Sequence, residues 1–437
     1  MTLLVAGGAL ALLLGLQMPA WSAGFSLFQQ GTAAMAQGNA FVADASDPSA
    51  IFYNPAGLTQ LKRPEIYLGM TFLAPDREYT NDSLGYFSQT KHQLYHPAFF
   101  YLAVPVHDRV TLGLGLFSPF GLATVWPADW PGKYLTTESK LQTYNLNPTV
   151  AFKLLDNLSV GAGVNICWST FRLKRKIPIR NPFTGVIQDG EADLGGDGTG
   201  WGINVGALYE PLKGIKLGVH YRSHIYIRHY GELNTGLPDR LSTFPFLPIP
   251  NPTPSVSGYG DLTLPPNVTF GVNISRFKPF SFEFDATWTG WSTYDRFELH
   301  LNQPILVNNV ATTTMINPKN WRDVWAFRFG ANYEIKEGLK LRCGYIYDMT
   351  PVPKDTFDTQ MPDANRHIFS VGGDWKINRF TLGLAYSYFV IEPRHKDNLL
   401  TTNGAPAVPL NIPWSYQANG LYKSNVHSLA VSLSCQF

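Results

Sequence analysis

The chain has 437 residues, of which 14% are aromatic and only 15% charged, with 39 Gly and 32 Pro. Soluble domains average about 25% charged residues, and a formal net charge of +2 leaves no basic footprint for nucleic acid. No internal run approaches the roughly 20 apolar residues of a membrane helix, so the composition fits a large β-protein able to face lipid.

At the amino terminus, Leu3–Leu16 is an apolar run too short to be retained as a membrane helix. It is followed by Ala20-Trp21-Ser22, with small residues where a signal peptidase reads them, before Ala23. This predicts a secretory signal peptide over residues 1–22. The opening MTLL lacks Lys and Arg, which leaves the true start open to an upstream position. The next stretch contains Asp44–Leu58, DASDPSAIFYNPAGL, with Pro48, Asn54, Pro55 and Gly57 set among Ile51, Phe52, Tyr53 and Leu58. It has too little alternation for a strand and too many breakers for a helix. Residues 23–64 are read as a compact plug and 65–437 as the wall around it.

From Glu65 onward the dominant signal has period two. Leu158, Val160, Ala162, Val164, Ile166 and Trp168 alternate with Ser159, Gly161, Gly163, Asn165 and Cys167, and Phe380–Val390 repeats the pattern. Soluble strands average about five or six residues, whereas these run to ten or more, enough for a tilted strand to cross a bilayer. Strands are predicted near 65–74, 94–106, 109–119, 141–154, 158–173, 201–210, 214–230, 261–275, 279–291, 322–336, 338–347, 366–377, 379–391 and 424–437. Short connections such as His107-Asp108 and Lys336–Gly338 interleave with long ones at 174–200, 231–260, 292–321 and 392–423. That asymmetry places both termini in the periplasm. The last strand ends on Phe437, an aromatic end of the kind read by the outer-membrane assembly machinery. The fold class is therefore an all-β, 14-stranded antiparallel transmembrane barrel in the outer membrane, among its lipid and lipopolysaccharide, with nothing pointing beyond a monomer.

Three features bear on function. In the third strand Val110, Leu112, Leu114 and Leu116 alternate cleanly until Ser118-Pro119-Phe120-Gly121 breaks the phase. Pro cannot donate to a ladder and a closed barrel has no edge to hold it, so a kink or gap is predicted at Pro119, Phe120 and Gly121. The loop 231–260 interleaves Leu237, Leu241, Phe244, Phe246, Leu247 and Ile249 with prolines. It is read as an apolar landing surface, or a lid against 174–200. Continuing the inward phase of the fifth strand puts Arg175 on the lumen side near its outer end. His220, Arg222, His224 and Arg228 are read as sharing the inward phase of the seventh strand, as polar lining too widely spaced for joint metal ligation. Cys167, Cys343 and Cys435 lie in separate strands without metal-ligand spacing, and no cofactor motif is present.

The order of Ala23-Gly24-Phe25, Asn54-Pro55-Ala56, Gly121-Leu122-Ala123-Thr124, Trp288–Trp291, Pro351-Val352-Pro353 and Pro362-Asp363 resembles the FadL-type outer-membrane transporters of long-chain fatty acids and other hydrophobic compounds. The resemblance spans the mature chain. It implies an N-terminal hatch over Ala23–Pro64, gated around Asn54, Pro55 and Ala56, and a lateral opening at the third-strand kink. It implies a ligand pocket near Phe25 and Ser118, with Arg175 at the family's basic position. A further basic position falls on Asn317, with Lys319 close by. The implied function is passive, ligand-gated uptake of long-chain fatty acids or similar molecules. The alternative is an uptake channel for aromatic hydrocarbons or other apolar solutes. A general porin would not need such a hatch, and an outer-membrane lipase lacks a G-x-S-x-G elbow.

Overall fold

The computed structural model describes residues 24–180, 185–236, 255–307, 310–409 and 412–437. The predicted signal peptide and the landing residues Phe244, Phe246 and Leu247 lie outside the described residues. Fourteen antiparallel strands close into one barrel. They are Glu65–Asn81, Ala98–His107, Val110–Phe117 continued by Gly121–Val125, Glu138–Leu155, Leu158–Arg180, Ile187–Leu212, Ile215–Arg222 continued by Ile225–Gly236, and Ser255–Leu264 continued by Asn267–Ile274. Phe280–Thr289, Val324–Lys336, Leu339–Asp348, Arg366–Ile377, Phe380–Lys396 and Gly420–Gln436 follow. Closure is made by the first strand on the last, from Glu65↔Gln436 to Thr80↔Leu421. Every wall strand has a neighbour on both sides over most of its length, which is what a backbone in hydrocarbon requires.

Several segments expected as loops are ladders in whole or part, including the flanks of 231–260, which pair from Gly231↔Gly258 to Asn234↔Ser255. The stretch 174–200 continues the fifth and sixth strands as far as Arg180↔Ile187, and 292–321 contains the hairpin Arg296–Val307 with Val310–Pro318. Antiparallel pairing, once in register, extends beyond the membrane because each further residue adds hydrogen bonds without a new closure cost. The short connections lie at the opposite end, and Gly214 and Gly338 take positive φ there (80° and 81°), as tight hairpin turns demand.

The alternation sorts the side chains. Val164, Trp168, Trp201, Phe284, Phe369 and Leu384 are exposed on the outer face, whereas Cys167, Asn165, Ser169 and Asn204 are buried inside. Ten residues separate Leu158 from Trp168, a rise that gives a band of about 25 Å when the strands tilt.

Residues 24–63 fill the lumen. Thr32–Ala36 and Ala50–Tyr53 form short helices and Pro55–Gln60 a 3-10 turn, all too short to persist alone and held by the wall. The wall makes room with glycine. A Cβ on Gly206 would stand 2.1 Å from Asn54 Oδ1, and one on Gly344 2.1 Å from the Gly38 amide nitrogen. It also supplies acceptors. Asp285 Oδ2 accepts from the Phe41 and Val42 amides at 2.8 and 3.1 Å. Glu283 accepts from the Ala43 and Asp44 amides at 2.7 and 2.9 Å. Ile51 and Leu58 are fully buried.

The seventh strand departs from the predicted phase. Arg222 pairs with Asn204 and Arg228 with Thr199, so six steps on one strand span five on the other. One extra residue at Ser223-His224 turns the side chains over. His220 and Arg222 point inward, but His224 and Arg228 are outside, and His229 takes the inner face.

Candidate functional site

The third strand loses its ladder where the sequence predicts. Phe117 pairs with Asn145 and Gly121 with Gln142, so four steps on the third strand oppose three on the fourth, again a bulge of one residue. Pro119 has no N–H for the ladder. The Thr143 hydroxyl replaces the missing pairing, accepting from the Phe120 amide (3.1 Å) and donating to its carbonyl (2.6 Å). Below the break the third strand pairs with both neighbours, while Gly121–Val125 pairs with the fourth strand alone.

The edge thus freed is covered from inside. The Leu27 amide donates to Pro119 O and the Gly121 amide to Phe25 O, both at 2.8 Å, with an antiparallel bridge between Ser26 and Phe120. The N-terminal segment therefore acts as a short lumenal strand beside a wall that has parted from its second strand. Leu27, Leu73, Tyr95 and Ala123 pack together in one buried apolar cluster there.

Above this bridge lies a chamber enclosing about 740 Å³ of empty space, partly open to solvent. Its lining is dominated by Phe25, Leu122, Leu141, Phe171, Leu262 and Trp321. Phe25 is the hub, with ring centroids 4.7 Å from Trp291, 5.6 Å from Tyr294 and 5.6 Å from Trp321. Of the charged residues at its edge, Lys140 and Asp261 lie in the outward phase of their strands, paired with Glu138 (2.9 Å) and Arg228 (2.8 Å), and Lys319 pairs with Asp358 (2.6 Å). Burial disfavours the charge on Lys319, but Asp358 more than offsets it, so its pKa stands above the ordinary lysine value and the ammonium is retained. The chamber is apolar with balanced charge, suited to a hydrophobic guest held mainly by contact area.

Of the predicted ligand residues, Phe25 lines this chamber. Ser118 does not; it is buried at the break, where its carbonyl accepts from Gln30 Nε2 at 2.6 Å. Arg175 shares the inward face with Phe171 and Leu173, both lining residues, but sits one inward position farther out and outside the lining. Lys319 rather than Asn317 enters the chamber. Asn54 is fully buried and works as a three-way clasp: Oδ1 accepts from the Ala56 amide (3.2 Å), and Nδ2 donates to Val42 O (2.7 Å) and Ala207 O (3.0 Å). Sequence reasoning missed the Glu283–Asp285 clamp. Its signal was present as two carboxylates in the inward phase of a membrane strand, alternating with Phe282 and Phe284.

A fourteen-stranded barrel with a lipid-facing apolar band and a filled lumen is an outer-membrane protein. A family model described as outer membrane protein transport protein (OMPP1/FadL/TodX) matches residues 14–437, and the chain belongs to that family. It is 25% identical over 394 residues to the long-chain fatty acid transport protein of Salmonella typhi, covering 84% of this chain and 88% of the relative. It is 28% identical over 426 residues to a putative outer membrane protein of Neisseria meningitidis, covering 87% and 89%. Among solved structures, a Pseudomonas aeruginosa FadL homologue superposes with a TM-score of 0.78 at 21% identity, covering 95% of this chain and all of that one. The Pseudomonas putida toluene transporter TodX gives 0.68 at 17% identity, covering 95% and 100%.

Proposed function

We propose that this chain is a passive channel for long-chain fatty acids or similar hydrophobic molecules, captured in the upper chamber and released sideways through the third-strand break. The observation that carries the reading is the adjacency of the two features: Phe25 lines the chamber, and its carbonyl also holds Gly121 at the break. Each buried CH₂ contributes about 0.8 kcal/mol, so an acyl chain has reason to leave water for the chamber and then for the bilayer. Residues 24–64 act as the hatch. A guest that displaces Phe25 pulls on the Ser26–Phe120 bridge, and through it on the segment clasped by Asn54. Arg175 guides anionic guests at the mouth, and the Phe437 terminus directs assembly into a lipid and lipopolysaccharide membrane.

Uptake of aromatic hydrocarbons is the second reading. It is favoured by the charge balance of the upper chamber, which offers no unpaired lysine to a carboxylate. Both readings are tested by expressing the chain in cells that lack their own fatty-acid transporter and following radiolabelled palmitate and toluene. Palmitate uptake at least tenfold above empty vector is expected. Uptake of toluene alone selects the second reading, and uptake of neither overturns both.

A further inference from the structure

Below the Ser26–Phe120 bridge lies a second chamber, with about 560 Å³ of empty space partly open to solvent, between the N-terminal segment and strands seven to ten. Its chemistry differs from the first. Arg222, Arg328 and Asp285 line it together with His220, and all four are at least 95% buried. With His220 neutral, two guanidiniums and one carboxylate leave the lining at +1, whereas in the upper lining Lys319 and Asp358 cancel as an ion pair.

Among the described residues neither guanidinium forms an ion pair. Arg222 donates to Asn165 Oδ1 (2.7 Å) and Phe52 O (3.0 Å), and Arg328 donates to Thr287 Oγ1 (2.7 Å). Asp285 holds the Phe41 and Val42 amides through Oδ2. Three buried polar atoms of the lining have no hydrogen-bond partner: His220 Nε2, Arg328 Nε and Asp285 Oδ1. Orphaned atoms of this kind are uncommon in folded proteins and call for an explanation. The remainder of the lining is mixed: Ser26, Asn39, Thr269 and Thr287 are polar, while Phe28, Phe52, Pro119 and Phe120 give an apolar side, so one end of the chamber is the wall break itself.

We infer that this lower chamber is a second ligand station, which takes the carboxylate of an amphiphilic acid between Arg222 and Arg328 while its chain lies along Phe120 toward the break. The inference rests on reading the chain as an uptake channel for hydrophobic molecules, and it adds the acid-selective step that the upper chamber does not provide. Arg328 stands opposite Asp285 in the ladder, whereas Arg222 is bonded only to neutral groups, and a buried guanidinium of that kind is a strong and specific partner for a carboxylate. Occupancy also reaches the N-terminal segment, because Arg222 is bonded to Phe52 O and the Arg328 guanidinium lies 4.4 Å from the Phe28 ring centre.

Native mass spectrometry of the whole protein, released from detergent and saturated with palmitate or with hexadecanol, tests this. The wild type should carry two palmitates and one hexadecanol. Arg222→Gln combined with Arg328→Gln should carry one palmitate, with the weaker-held copy lost by at least tenfold in affinity. Thr269→Phe, which fills the chamber and leaves both arginines in place, should also carry one, and serves if the double variant does not fold. A single palmitate on the wild type, two hexadecanols bound as readily as two palmitates, or two palmitates on Thr269→Phe would overturn the station. Absence of any bound palmitate or hexadecanol would instead overturn the uptake reading on which it rests.

Discussion

The wall of the barrel can be compared with itself. The fifth and sixth strands pair without interruption over 23 residues, from Leu158↔Tyr209 to Arg180↔Ile187. The third strand, built on the same alternation of aliphatic and small residues, pairs on both sides over the seven residues Val110–Leu116 and then parts from its second-strand neighbour. The difference is local: one proline and one extra residue. Its consequence is not local, because the freed edge recruits Phe25–Leu27 and so ties the wall to the segment filling the lumen. A barrel made only of strands like the fifth and sixth would be closed to anything leaving sideways. The broken strand leaves an edge without its second-strand partner, and the N-terminal segment covers that edge.

The comparison is broken most severely by detaching the cover from the wall. Gly344→Val should do so, since its Cβ would meet backbone atoms at Gly38 and Gln37 that cannot swing aside. The barrel should still show heat-modifiable migration on a gel, while planar-bilayer recordings gain a porin-like conductance that the wild type lacks. Glu283→Gln with Asp285→Asn replaces the carboxylates that accept from four amides by carboxamides with a single acceptor oxygen each. A lost hydrogen bond costs about 1 kcal/mol and a buried donor left unpaired about 1–3, so proteolysis within residues 24–64 should accelerate roughly tenfold. Asn54→Ala loses two donors and one acceptor at a single clasp. It should lower palmitate uptake severalfold while leaving the barrel folded; normal transport would reduce this run to filler. Arg175→Ala should have the smallest effect. Lying outside the chamber lining, it should change palmitate binding to the purified barrel by less than threefold and toluene binding not at all.

Much of this was legible in the sequence because a lipid-exposed wall enforces strict period-two patterning. The inward and outward faces of Leu158–Trp168 could be read directly, and so could the break, since a proline inside a closed ladder has few solutions. What escaped detection had several causes, of which a bulge is the first. A single inserted residue at Ser223-His224 leaves alternation intact on both sides while reversing its sense, so His224 and Arg228 read as lumenal when only His220, Arg222 and His229 are. The stretch 174–200 reads as a loop because Lys174, Arg175 and Lys176 mask a pairing that needs no apolar face above the membrane. The ligand chamber was only partly legible. Phe25 and Lys319 reach it from segments 294 residues apart, and only three-dimensional closure brings them together, whereas Arg175 shares the inward face and lies outside the lining.

The central claim is that the parted third strand is the route out of the lumen. Replacing Pro119 and Gly121 together by Val restores an N–H and favours extended ladder geometry at the break. The measurement is uptake of radiolabelled palmitate by transporter-deficient cells carrying equal amounts of folded wild-type or double-variant barrel. Lateral release predicts at least a tenfold fall in uptake, with palmitate still bound by the purified variant. Uptake equal to the wild type would contradict it and place release through the periplasmic end of the lumen.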